Sequence, residues 1–188
     1  LQNSHVPMRF PGRSYLNGDC PATDDADPLH VGMLMSAKLK ANGGAFDLGP
    51  RVASRERRRI VGDFVLDWTD IVCGRTYPDT IMRAMSDYDS HGYQIHPYFS
   101  MTSPDRRKPF FADVPYRSIL PQGVEGMLVV GLGMSAHRDA MPITRMQPDQ
   151  HNLGYAAGVA AAMAVRAGAS LRQIDVKALQ RHLIEIGV

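Results

Sequence analysis

Met127-Leu128-Val129-Val130-Gly131-Leu132-Gly133-Met134-Ser135-Ala136-His137 opens the stretch that decides the fold, and Leu153-Gly154-Tyr155-Ala156-Ala157-Gly158-Val159-Ala160-Ala161-Ala162-Met163-Ala164-Val165 closes it. Met127 to Val130 is a short apolar run ended by Gly131 and Gly133. That is the pattern of a buried strand running into a tight turn. Leu153 to Val165 is Ala, Gly and short aliphatics, the pattern of a helix that can lie close against a sheet. A helix beginning at Leu153 would leave the amides of Gly154 and Tyr155 unpaired. Such a helix start attracts a phosphate or a polar ring oxygen. A core strand and a core helix with no ligand is the competing reading.

The bulk numbers set the frame for this stretch. The chain has 188 residues, enough for one domain or one and a half. Its hydrophobic and charged fractions are ordinary for a soluble globular protein. The formal net charge of +2 speaks neither for nor against nucleic acid. Cys20 and Cys73 lie far apart, which indicates neither a disulfide framework nor a Cys-based zinc site. The Ala-rich run is interrupted by Gly and bounded by His151 and Arg166, too short for a membrane span. Leu1-Gln2-Asn3-Ser4-His5 reads as a chain already under way, and a C-terminal piece of a longer protein is the expectation.

Upstream, residues 1–28 are rich in Pro, Gly, Asp and Asn and read as loop. Asp27-Pro28 starts a short helix with Leu29, Met33 or Leu34, and Met35 on its apolar face, ended by Gly43-Gly44. From Arg51 to Leu66 the chain is loosely alternating and β-prone after Ile60. In a strand, Arg55, Arg57 and Arg59 would share one side, where a guanidinium can hold an anionic group by a forked hydrogen bond; a solvated basic face is the alternative. Trp68-Thr69-Asp70-Ile71 begins a turn or short helix, and Thr80 to Met85 is a further short helical candidate. Phe110 to Leu120 is apolar and aromatic, with Tyr116-Arg117 inside it. Near the end, Asp175 caps a last helix whose stripe is Val176, Leu179, Leu183 and Ile184, and Gly187 ends it.

Two patterns invite a quick assignment. Gly131-Leu132-Gly133-Met134-Ser135-Ala136 matches G-x-G-x-x-A after a strand. A nicotinamide-binding unit needs its helix to begin inside that motif and a second parallel strand ending in an acid. Pro142 and Pro148 block a helix directly after the motif, and no strand pattern follows the Ala-rich helix. Asp87, Asp89, His91 and His96 bring carboxylates and imidazoles together, yet their spacing matches no zinc or calcium pattern. A His/Asp metal-dependent hydrolase stays a secondary alternative, and no metal ligand is assigned. His96 is held extended by Pro97, which suits a side chain aimed into a site and equally an edge strand.

Four motifs taken in order point further. They are Arg55-Glu56-Arg57-Arg58-Arg59-Ile60; Pro115-Tyr116-Arg117-Ser118-Ile119; Met127 to Ser135 followed by Arg145-Met146; and Gly154-Tyr155-Ala156-Ala157-Gly158. From about residue 51 onward the chain resembles the C-terminal part of FAD-dependent oxidoreductases built like glutathione reductase. It departs from them at Leu132, where Arg is usual, and at Arg57, which replaces Ser. The family's N-terminal G-x-G-x-x-G unit, which holds the ADP half of FAD, is not in these residues.

The resemblance implies a mixed α/β (α+β) fold: part of a β-rich substrate domain with connecting loops over residues 1–115, and the last strand and helices of an FAD-binding domain over residues 116–188. It implies FAD as cofactor and hydride transfer between flavin and a small-molecule substrate. Gly131, Gly133, Met134, Ser135, Arg145, Leu153, Gly154, Tyr155 and Ala156 are the expected flavin-lining residues. His96, Arg59, Tyr116, Arg117 and His137 are the expected substrate-side residues. The expected partners are the substrate and the N-terminal part of the same protein, with neither nucleic acid nor membrane, and with an oligomer open. The 188 residues alone are expected to hold FAD weakly or not at all, and to be inactive. A non-catalytic packing or oligomerisation module is the rival from another class. The compartment stays open, the cytoplasm being slightly favoured.

Overall fold

The computed structural model describes residues 58–88 and 109–188. The expected helix after Pro28, the arginines before Arg58, and Asp89, His91 and His96 lie outside those residues.

The described part is a mixed α/β core. In chain order it has α1 (Trp68–Val72), β1 (Thr80–Ser86), β2 (Phe110–Pro115), α2 (Met141–Thr144), α3 (Gln147–Ala167) and α4 (Val176–Glu185), with short 3-10 turns at Tyr116–Ile119, Gly131–Gly133 and Leu171–Gln173. Asp67 starts α1: its side chain accepts from the amide of Thr69 at 2.9 Å, while Asp70 reaches back to the amide of Asp67 at 3.3 Å. Two first-turn N–H groups are thereby satisfied, which is why so short a helix forms.

Residues 80–86 are a strand, not the short helix expected. Ile81, Met82 and Met85 are compatible with a helical stripe. The pairing decides otherwise: β1 runs antiparallel to β2, with Met82 opposite Val114 and Ala84 opposite Ala112. From Met82 on, the burial alternates with the strand period, Met82, Ala84 and Ser86 in and Arg83 and Met85 out. A register irregularity between Thr80 and Met82 accommodates the start of the strand. Pro115 ends β2, where the missing N–H costs no ladder bond.

Met127 to Val130, expected as a buried strand, is extended chain outside any strand, and Met127 is 50% exposed. The reason lies in its partners. Among the described residues only the amide of Val129 bonds across, to the carbonyl of Ile119 at 2.9 Å. The neighbouring extended pieces knit together instead through single bridges. Gly62 pairs with Pro121 and Leu66 with Ala136, and neither bridge extends into a ladder.

α3 is 21 residues long and begins at Gln147, not at Leu153. Pro148 sits in its first turn, where a missing N–H is harmless and the fixed φ favours the helix. Gly168 ends it at φ +60°, a left-handed conformation a Cβ would penalise. Leu153, Ala156, Ala157, Ala160 and Ala164 form the buried stripe at helical spacing. The small side chains let α3 pack on β1. α4 starts at the expected cap, Asp175 accepting from the amide of Ala178 at 3.0 Å, and buries Leu179 and Leu183. Ile184 does not belong to the stripe: it is 76% exposed, on the flank beyond Leu183.

Candidate functional site

The fold brings the Gly131–Gly133 turn against α3. Gly131 has φ +73°, in the region that favours glycine. A Cβ on Gly133 would lie 3.1 Å from Val129 Cγ1 and 3.8 Å from the carbonyl oxygen of Arg58. The amide of Ile60 donates to the carbonyl of Gly133 at 2.9 Å. Arg59 is therefore flanked by two residues that touch the glycine turn, and it is itself partly buried. After the turn, Met134 to Ala136 runs extended beside Leu66, so no helix begins inside the G-x-G-x-x-A motif.

Facing Gly131 is Gln150, in the first turn of α3. Its Nε2 donates to the carbonyl of Thr144 at 2.6 Å. That bond fixes which end of the amide is which. Its Oε1 is buried and accepts no hydrogen bond from the described residues. A Cβ built on Gly131 would stand 4.0 Å from that oxygen. Gly154 and Gly158 follow Gln150 at helical spacing on the same face, and a Cβ on either would meet nothing within 4 Å. Asp149, beside Gln150, accepts from the amide of Met85 at 3.3 Å and ties the end of β1 to the start of α3. Burial pushes its carboxyl above the ordinary range, against the pull of that amide.

The expected flavin-lining residues divide sharply. Gly131 and Gly154 present bare backbone, whereas at Gly133 the place of a Cβ is closed off by Val129 Cγ1 at 3.1 Å. Met134, Leu153 and Ala156 are fully buried in the core. Ser135 is equally buried; its Oγ accepts from the amide of Gly62 at 3.0 Å, and its own amide donates to the carbonyl of Ser118 at 2.9 Å. The amides of Leu153 to Ala156 lie beyond the first turn of α3, so they bond within the helix and are not a helix start. Tyr155 stacks on His182 of α4, with Oη and Nε2 3.0 Å apart. The amide of Arg145 donates to the carbonyl of Met141 at 3.0 Å.

The substrate-side residues are spread more widely. Tyr116 Oη donates to the carbonyl of Leu171 at 2.9 Å, and burial pushes its pKa up to about 12. A phenol so held is a donor at neutral pH, not a proton acceptor. Arg117 grips Asp79 with both ends of its fork, Nε to Oδ2 at 2.9 Å and Nη2 to Oδ1 at 3.1 Å, and lies over the ring of Phe64. That hydrogen-bonded pairing raises its pKa further. His137 Nδ1 accepts from the amide of Asp139 at 3.2 Å, which leaves the neutral ring its proton on Nε2. Among the described residues no group of three or more His, Cys, Asp or Glu is placed to hold a metal ion.

Gln150 is the site residue that the sequence reading lacked. The signal was Pro148: read as the opening of α3 instead of an interruption, it puts Gln150 in the first turn, directly above Gly154.

Comparison with known proteins gives one match. The family described as FAD dependent oxidoreductase matches residues 29–183. No curated protein and no solved structure matches the chain.

Proposed function

Because the chain belongs to the FAD dependent oxidoreductase family, we propose that it oxidises or reduces a small-molecule substrate by hydride transfer, with the flavin ring seated between the Gly131–Gly133 turn and the first turns of α3. FAD is the cofactor of the family, and flavin-dependent redox is its chemistry. The observation that carries the placement is the buried Oε1 of Gln150, without a partner among the described residues, beside the bare backbone of Gly131 and one turn before Gly154 on the same helix. A buried acceptor left without a donor is costly, and a flat ring needs walls without side chains. The residues present therefore fit the group.

When bound, the flavin ring supplies the hydride acceptor or donor. The chain supplies the seat and the substrate groups. Gly131 and Gly154 admit the ring, Gly133 lets the turn pack against Val129, and Met134, Ser135, Leu153 and Ala156 hold the backbone beneath them rigid. Arg59, adjoining the turn, anchors an anionic group of the substrate; His96 takes or orients the substrate proton. Tyr116 and Arg117 support the site as framework, since their polar groups are committed to Leu171 and Asp79. The order of the sequence motifs favours a place among flavoproteins built like glutathione reductase, with residues 1–115 serving the substrate domain and 116–188 the FAD-binding domain.

The test is the visible spectrum of the purified full-length protein. Bound-flavin bands that bleach anaerobically on adding a reducing substrate support the reading. A folded protein that neither carries nor takes up FAD overturns it.

A further inference from the structure

The unpartnered oxygen of Gln150 has a consequence for how the cofactor is recognised. Its amide is fixed: Nε2 is held by the Thr144 carbonyl at 2.6 Å, so Oε1 cannot exchange places with it without losing that bond and setting oxygen against oxygen. Oε1 is thus an acceptor in a set position, buried and without a partner among the described residues. Beside it stands Gly131, whose left-handed backbone would bring a Cβ no nearer than 4.0 Å; Gly154 lies one helical turn further along α3, and a Cβ there would meet nothing within 4 Å. Neither contributes a side-chain donor. Among the described residues no group donates to it, and a ligand flat enough to lie against glycine backbone can supply the donor.

The oxidised isoalloxazine ring carries one N–H, the imide between its two carbonyls; the rest of its polar edge accepts. We propose that Gln150 Oε1 accepts a hydrogen bond from that imide N–H and so fixes the ring's orientation against α3. The inference rests on the flavin reading of the site and deepens it. Gln150 acts as a positioning residue: it recognises the edge of the ring remote from the substrate and takes no part in moving the hydride.

The experiment compares binding of FAD and of its N3-methylated analogue to the flavin-depleted full-length protein, by fluorescence titration. The wild type should prefer FAD by about tenfold or more, the worth of one buried hydrogen bond together with the methyl group's intrusion. In Gln150→Ala, which removes both acceptor and bulk, the preference should fall close to one. Gln150→Asn, which keeps an amide but withdraws it by one methylene, should lose most of the preference too and serves if the alanine variant folds poorly. Equal affinity of the wild type for the two flavins overturns the inference. So does an undiminished preference in either variant that keeps the wild-type circular dichroism. Failure of the wild type to bind FAD at all overturns the flavin reading and this inference with it, a result distinct from FAD binding without discrimination.

Discussion

The amide of Gly62 donates to the hydroxyl of Ser135 at 3.0 Å, across 73 positions of sequence. A Cβ on Gly62 would come within 2.7 Å of Ser135 Cβ, so the two backbones are as close as glycine allows. The bond joins the arginine-bearing segment to the residues that follow the glycine turn. Gly62→Ala should destabilise the protein by about 1–3 kcal/mol through overpacking. Ser135→Ala should cost about 1–3 kcal/mol, because a buried N–H loses its partner. Urea denaturation of both variants checks this, and wild-type midpoints would show that the contact is dispensable.

Asp70 gives the fold an acid sensitivity. Burial alone would raise its carboxyl pKa, but the hydrogen bond from Arg75 and the amide of Asp67 outweigh it, and the net shift is downward. A carboxylate whose folded pKa is depressed contributes stability above its unfolded pKa and loses it as pH falls through the folded value. Acidification below about pH 4 should therefore weaken α1 and its anchorage. Asp70→Asn should flatten that part of the stability profile while lowering stability at pH 7. Parallel pH profiles for variant and wild type would contradict this.

How much of this was legible in the sequence differs element by element, for physical reasons. α4 could be read whole, because Asp175 and Gly187 are local signals that need no distant partner. Only Ile184 was misplaced, since a stripe near a helix end has no further turn to define its edge. β1 could not be read: Ile81, Met82 and Met85 serve either period, and pairing with β2 decides between them. Met127 to Val130 failed the other way. It has strand composition, but a strand exists only through its neighbours, and a single bond to Ile119 is what it has among the described residues. Gly131 and Gly154 were legible as bare backbone. Gln150 was not, because its significance lies in what its oxygen lacks.

Arg59 and His96 carry the proposed substrate chemistry. Arg59→Ala and His96→Ala in the full-length protein should leave flavin content intact. Each should slow flavin reduction by substrate, roughly 10²-fold or more where a proton acceptor is lost. Rapid-mixing anaerobic reduction measures it, and unchanged rates in both variants would remove these residues from the reaction.

Tyr116 should behave in the opposite way. Its Oη is buried and given to the carbonyl of Leu171, so Tyr116→Phe should cost about 0.5–1.5 kcal/mol of stability. The rate of flavin reduction should stay within a few-fold of wild type. A large rate loss without a stability loss would return Tyr116 to the substrate side.

A flavin ring lying against α3 at Gly154 leaves no room for a side chain there, and Gly154→Leu puts one in its place. A Cβ there meets nothing within 4 Å in the protein, so the fold has room for the side chain and the cofactor does not. The measurement is flavin per polypeptide, from the visible spectrum, alongside the thermal unfolding of the same sample. Flavin occupancy of the full-length variant should fall severalfold or more while the unfolding temperature of its flavin-free form stays near that of flavin-free wild type. Full flavin occupancy in a folded Gly154→Leu protein would contradict it.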